Sequence, residues 1–227
     1  MERKIFLGIL AASLIAVALA ILLPGGRTVD KNPKLPWLIQ IDDNGRSTVF
    51  GLTLGVSTLA QAREMFRAQG ESNLFAGDDQ VYTVESYFQR LFLSGLRGDM
   101  ILTVNVDPAV ISGMYERGLR ISQLGSGAKK VKLADEDLAT LAHARIGSLT
   151  YIPGTDLDPA LLAERFGEPA RRIQEPDGAS HWLYPDKGLD IAVNPDGREV
   201  LQYVSPADFE DILVPLQEAL EKTAAGD

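Results

Sequence analysis

Among the residues able to do acid–base work at neutral pH, the chain has only two histidines, and His181 is the one with chemistry near it. Ser180 precedes it, and Asp177 and Asp190 fall where a meander would make them cross-strand neighbours. A His–Asp pair beside a serine has the composition of a nucleophilic set: the imidazole takes the hydroxyl proton and the carboxylate orients the ring. No Gly-x-Ser-x-Gly elbow exposes a serine. A hydrogen-bonded strand histidine is therefore the favoured reading, and a hydrolase using His181 with nearby Asp or Ser is the alternative. His143 lies in a helix, running through Ala144, whose first turn holds Asp135 and Asp137, too distant along the helix to orient its ring.

Carboxylates also occur in close pairs: Asp42/Asp43, Asp78/Asp79, Asp156/Asp158 and Glu210/Asp211. Turn formation, capping and the helix dipole account for each, so no glycosidase-like pair stands out. Asp42-Asp43-Asn44-Gly45 lacks the alternating ligands and closing Glu of a calcium loop. Gly125-Ser126-Gly127-Ala128-Lys129-Lys130 lacks P-loop spacing and reads as a flexible turn. These observations assign no catalytic residue, no metal site and no cofactor. Trp37, Phe92, Trp182, Tyr184 and Tyr203 are the candidate partner-binding residues, with the core as the competing place for such aromatics.

The element that must position His181 is a helix followed by three antiparallel strands, between Asp158 and Ser205. Asp158-Pro159 starts the helix, Leu161, Leu162 and Phe166 give it an apolar face, and Gly167 and Pro169 end it. The extended segments after the helix, four with the one that leads out of it, are Ala170–Glu175, Ser180–Tyr184, Leu189–Asn194 and Glu199–Val204, separated by Pro-Asp-containing turns. Alternation of Leu189, Ile191 and Val193 with Asp190 and Ala192 marks a half-buried strand.

A worn copy lies upstream. Gly51-Leu52-Thr53-Leu54 and Arg63-Glu64-Met65-Phe66 parallel Ser148-Leu149-Thr150-Tyr151 and Ala163-Glu164-Arg165-Phe166. Trp37–Ile41 and Ser47–Phe50 form a hairpin around Asn44-Gly45, and strands follow at Asn73–Ala76, Val81–Leu93 and Met100–Val106. In the long strand Tyr82, Val84, Phe88 and Phe92 share one face, and Val81, Tyr87, Leu91 and Leu93 the other. Burial on both faces is favoured over an exposed docking loop at Leu91–Leu96.

The fold class expected is α+β: an N-terminal transmembrane helix, then two βαβββ-like antiparallel units in tandem, a bridging helical segment between them and a C-terminal helix. The segments are 1–24 (membrane anchor), 25–36 (linker), 37–106 (first repeat), 107–147 (helical bridge) and 148–227 (second repeat with the closing helix). Ser205-Pro206-Ala207-Asp208 reads as a capping box for that helix, and Pro215 should kink it.

Ile5–Leu23 is the basis of the anchor. The run is almost unbroken in apolar residues, lies between Arg3-Lys4 and Pro24-Gly25-Gly26, and spans about 28 Å as a helix. A cleavable signal peptide ending near Ala18-Leu19-Ala20 is the rival. The short N-terminal tail points to an inner-membrane, single-pass protein with its body in the periplasm, although Arg27, Lys31 and Lys34 place basic residues on the far side as well.

Charge narrows the partners. The formal net charge is −9, and the first 34 residues hold five Lys/Arg against two Asp/Glu, leaving 17 against 29 in the body. An acidic body disfavours nucleic acid, which needs a positive field. Absence of cysteine removes disulfides, thiolate chemistry and a lipidated cysteine. Across Arg165–Pro169, Trp182-Leu183-Tyr184, Leu189-Asp190-Ile191 and Glu199-Val200-Leu201 the chain resembles small envelope modules of the SmpA/OmlA (BamE-like) type, and in its tandem arrangement it is similar to beta-lactamase inhibitor protein-like folds. It also looks like membrane-anchored envelope proteins of proteobacteria. The resemblance implies a non-catalytic binding or assembly role in the cell envelope with an envelope protein as partner, and it departs from the family in lacking the lipobox cysteine.

Overall fold

The strand-forming alternation of the sequence is realised in a single large sheet. The computed structural model describes residue 17 and residues 32–77, 81–176, 178–195 and 197–225. Pro33–Asp227 forms one unit. Its strands are β1 (Gln40–Ile41), β2 (Ser47–Val49), β3 (Leu52–Thr53), β4 (Glu71–Ala76), β5 (Tyr82–Leu93), β6 (Leu96–Asn105), β7 (Arg120–Gln123), β8 (Lys129–Lys132), β9 (Arg145–Pro153), β10 (Arg171–Gln174), β11 (Ser180–Tyr184), β12 (Leu189–Val193) and β13 (Val200–Tyr203). The helices are α1 (Leu59–Phe66), α2 (Pro108–Glu116), α3 (Asp135–Leu141), α4 (Pro159–Phe166) and α5 (Glu210–Ala225). Ten strands form one antiparallel sheet in the order β10-β11-β12-β13-β9-β6-β5-β4-β8-β7, and β1-β2-β3 make a separate small sheet.

This arrangement corrects the tandem expectation. Four strands follow α4, one on each of the four extended segments and one more than the three of a βαβββ-like unit, and the two halves share one sheet because β9 pairs with both β13 and β6. β9 therefore occupies the position beside β6 that the Leu52-Thr53 strand would need in a self-contained first unit. That strand is displaced into the small sheet, and the stretch after it hydrogen-bonds along the entry of β9, with Gly55 N–H donating to Ile146 O and Ile146 N–H to Ser57 O. The bridge is not purely helical either. Its β7–β8 hairpin pairs with β4 and covers what would otherwise be an exposed edge, burying Val131 beside Leu74.

The membrane expectation is corrected as well. Among the described residues no helix is long and apolar enough to cross a membrane. Ile5–Leu23 lies, apart from Val17, outside the described residues. The longest described helix, α5, begins with Glu210 and Asp211 and contains Pro215. The single-pass anchor, the inner-membrane location and the periplasmic body therefore find no support among the described residues.

Local chemistry sets the helix starts. Asp107 and Asp158 each accept the N–H two residues on, with Pro at the first helical position, and Thr58 forms a reciprocal capping box with Gln61. α3 differs: Ala134 occupies the cap, and Asp135 is already helical. Ser205 makes no cap bond; a short 3-10 turn, Pro206–Asp208, precedes α5 instead.

Alternate residues of the sheet feed two apolar clusters. Leu74, Val84, Met100, Leu102, Leu149, Leu189, Ile191 and Tyr203 belong to the main core with Leu59, Phe66, Met114, Leu141 and Phe166 from α1 to α4. Ile173, Leu183 and Val204 pack instead with Phe209 and Leu216 at α5. A bulge in β5 decides its faces. Gln89 and Arg90 together oppose Asp99, and Arg90 has φ +50°. Asp99 holds the bulge by accepting from the Arg90 N–H (2.8 Å) and the Tyr87 hydroxyl (2.9 Å). The shift brings Leu91 and Leu93 to the buried side with Val84 and Phe88, and sends Phe92 to the outside.

Candidate functional site

His181 and Asp190 are brought together by register. His181 lies opposite Ala192, and Asp190 opposite Leu183, so the two side chains are diagonal neighbours on one face. His181 Nδ1 is 2.7 Å from Asp190 Oδ2, and Nε2 is 3.7 Å from Glu175 Oε1. The three side chains are 14% (His181), 2% (Asp190) and 26% (Glu175) exposed. Asp190 Oδ1 is buried and has no hydrogen-bond partner among the described residues. Asp177 lies outside the described residues.

This geometry holds the imidazole between two carboxylates and serves a nucleophile poorly. Both ring nitrogens face carboxylates, Nδ1 that of Asp190 and Nε2 that of Glu175. Ser180 sits next to His181 along β11, and successive strand residues point to opposite faces. The ring is thus turned away from the hydroxyl it would have to activate. His143 is exposed, and Asp137 pairs with Arg117 at 2.7 Å.

The aromatic candidates separate by burial. Tyr203 is fully buried and donates to Pro36 O at 3.1 Å; Tyr184 is buried and donates to Gly167 O at 2.8 Å; Trp182 is buried beneath the Arg172 guanidinium. Trp37 is half-buried, edge-on to Phe166. These four shape the core and its rim. Phe92, 68% exposed near the tip of the β5–β6 hairpin, is the one that projects.

Among the paired carboxylates, Asp42 and Asp158 serve structure. Asp42 takes the Arg46 guanidinium and the Asn44 and Arg46 N–H groups, and its hydrogen bonds to Arg46 hold its pKa below the ordinary value. Asp158 caps α4. Asp78 and Asp79 lie outside the described residues. Among the described residues no group of three His, Cys, Asp or Glu could hold a metal ion.

Glu85 is a carboxylate the sequence did not single out. Burial pushes its pKa above the ordinary 4.5. A raised carboxyl pKa means that the unfolded chain ionises first, so stability falls as pH rises from about 4.5 through the folded-state value and then levels off. Glu85→Gln is expected to be more stable than the parent at pH 7 and to lose that advantage near pH 4. Urea midpoints measured across that range check it, and equal gains at both pH values would refute it.

The two free edges of the sheet are unlike. At β10, Arg171, Arg172 and Gln174 are exposed, and Arg172 pairs with Glu168 at 2.8 Å. At β7, Ile121 is 52% exposed and Leu119, just before the strand, 61%. Leu124 follows, also exposed. The sequence marks this edge only faintly, because β7 and β8 are four-residue strands either side of a glycine-rich turn. The spacing of Leu119 and Ile121 was the available signal. Glu175 was missed for a different reason, since its approach to His181 depends on the β10–β11 register.

No family model, curated protein or solved structure matches the chain. The resemblance to SmpA/OmlA modules gains no support from these comparisons.

Proposed function

We propose that this protein is a binding module without catalytic activity, which takes up an extended segment of a partner protein along β7. The observation that carries this reading is the contrast between the two sheet edges. Unpaired backbone groups on an edge strand are a template for another strand, and proteins that must not pair there place charge along it. β10 carries two exposed arginines and its one isoleucine is buried, whereas β7 carries one arginine, Arg120, and presents an exposed isoleucine with exposed leucines just before and after the strand. Main-chain bonds would supply affinity, and Leu119 and Ile121 the apolar contact. The placement of Ser180 and His181 on opposite faces weighs against the hydrolase alternative.

A photoreactive amino acid at position 121, introduced in cells that make the protein, should crosslink to a partner chain. The captured complex should show slowed amide exchange along Arg120–Gln123, and Ile121→Lys should abolish capture while leaving the unfolding midpoint within about 0.5 kcal/mol of the parent. Crosslinks to a second copy only, or capture indifferent to Ile121→Lys, would defeat the proposal.

A further inference from the structure

At the head of β4 a cavity of about 750 Å³ opens between the α1–β4 connection, the β7–β8 hairpin and α3. Its lining is out of character for an acidic protein: Arg63, Arg120, Lys130 and Lys132 stand against a single carboxylate, Glu71. From residue 119 to 133 the chain contains no Asp or Glu at all.

The carboxylate is already occupied. Glu71 Oε1 accepts from Lys130 Nζ at 3.1 Å and from Asn73 Nδ2 at 3.0 Å, and those bonds pull its pKa down. Arg63, Arg120 and Lys132 make no ion pair among the described residues. Arg63 is the informative member. Its partners are neutral: Nε donates to Gln69 O at 2.9 Å and Nη2 to Ser72 Oγ at 3.1 Å. Ser72 is in turn fixed by Ser86, their hydroxyls 2.6 Å apart. A guanidinium has five N–H donors, so this leaves three for another acceptor, in a position held by the sheet. Burial disfavours its charge and lowers its pKa, with no carboxylate supplied in return. Leu133 and Leu138 add an apolar wall.

We infer that this cavity is a binding site for a small organic anion, one that brings carboxylate or phosphate oxygens to Arg63, Arg120 and Lys132 and lays an apolar body against Leu133 and Leu138. A planar guanidinium oriented by neutral hydrogen bonds is suited to oxyanions, and two further cations match a ligand with more than one negative charge. The inference does not depend on strand addition at β7, since Ile121 does not line the cavity.

The test uses the full chain with two probes, citrate and inorganic phosphate, titrated at low ionic strength by calorimetry and by amide NMR shifts. Saturable one-to-one binding of at least one probe is expected, with shifts at Gly70–Asn73 and Lys130–Leu133, and weakening as salt is raised. Arg63→Gln should weaken binding about ten-fold or more, the loss of a charge-assisted contact. Because Arg63 also braces Ser72, the exposed-site variants Arg120→Gln and Lys132→Gln provide the readout in a fold left intact, each weakening binding several-fold. Failure of both probes to saturate, or affinities unchanged in Arg120→Gln and Lys132→Gln, would overturn the assignment.

Discussion

His181→Ala is expected to destabilise the fold by about 3–5 kcal/mol, the cost of leaving a buried charge without its partner. Asp190 is almost completely buried, its Oδ2 is held by His181 at 2.7 Å, and its Oδ1 has no other hydrogen-bond partner among the described residues. Removing the imidazole strands the carboxylate under the α5 cluster, where water cannot replace the lost contact easily. At about 2–4 °C per kcal/mol for a chain of this size, the thermal midpoint should fall by about 10 °C. Adding Asp190→Asn to the variant should recover most of the loss, because the uncompensated charge, rather than the missing ring, is what costs. Urea unfolding of the parent, the single and the double variant measures both statements. An unchanged midpoint in His181→Ala, with some activity lost, would favour the hydrolase reading.

Gly98→Ala should be comparably severe, by about 3 kcal/mol, for a steric reason. Gly98 lies on β6 opposite Leu91 on one side and Pro153 on the other. A Cβ there would come within 2.4 Å of the Tyr151 ring and 2.6 Å of the Ile152 carbonyl oxygen. The tyrosine cannot swing away freely: it is buried, packs against Phe50 with ring centroids 5.0 Å apart, and donates to Arg97 O at 3.2 Å. Because β6 and β9 join the two halves of one sheet, the lost stability should appear in a single transition. Tryptophan fluorescence, which reports on Trp37 and Trp182, and far-UV circular dichroism should give coincident curves in parent and variant. Separated transitions would mean that the halves fold independently.

Parts of this architecture were legible because they depend on neighbours in sequence. Asp107, Asp158 and Thr58 cap helices through bonds that span two or three residues. The meander from Ser180 to Tyr203 is announced by period-two alternation broken at Pro-Asp-containing turns. The His181–Asp190 pairing was within reach for the same reason, since the two residues sit on adjacent strands of that meander. Glu175 stood nearby too, but several carboxylates were equally near, and only register picks one.

What sequence by itself determined is therefore local: where helices begin, which segments alternate, and that cysteine chemistry has no place here. Tertiary structure alone decided that β9 takes the position beside β6, so two expected units became one sheet. It also decided that the Arg90 bulge turns Phe92 outward and that cations from α1, β7 and β8 line one cavity. Capping and alternation are governed by contacts a few residues apart, which composition and spacing record directly. Strand pairing, face selection and cavity lining join residues tens of positions apart, and their choice follows from which whole arrangement buries the most apolar surface.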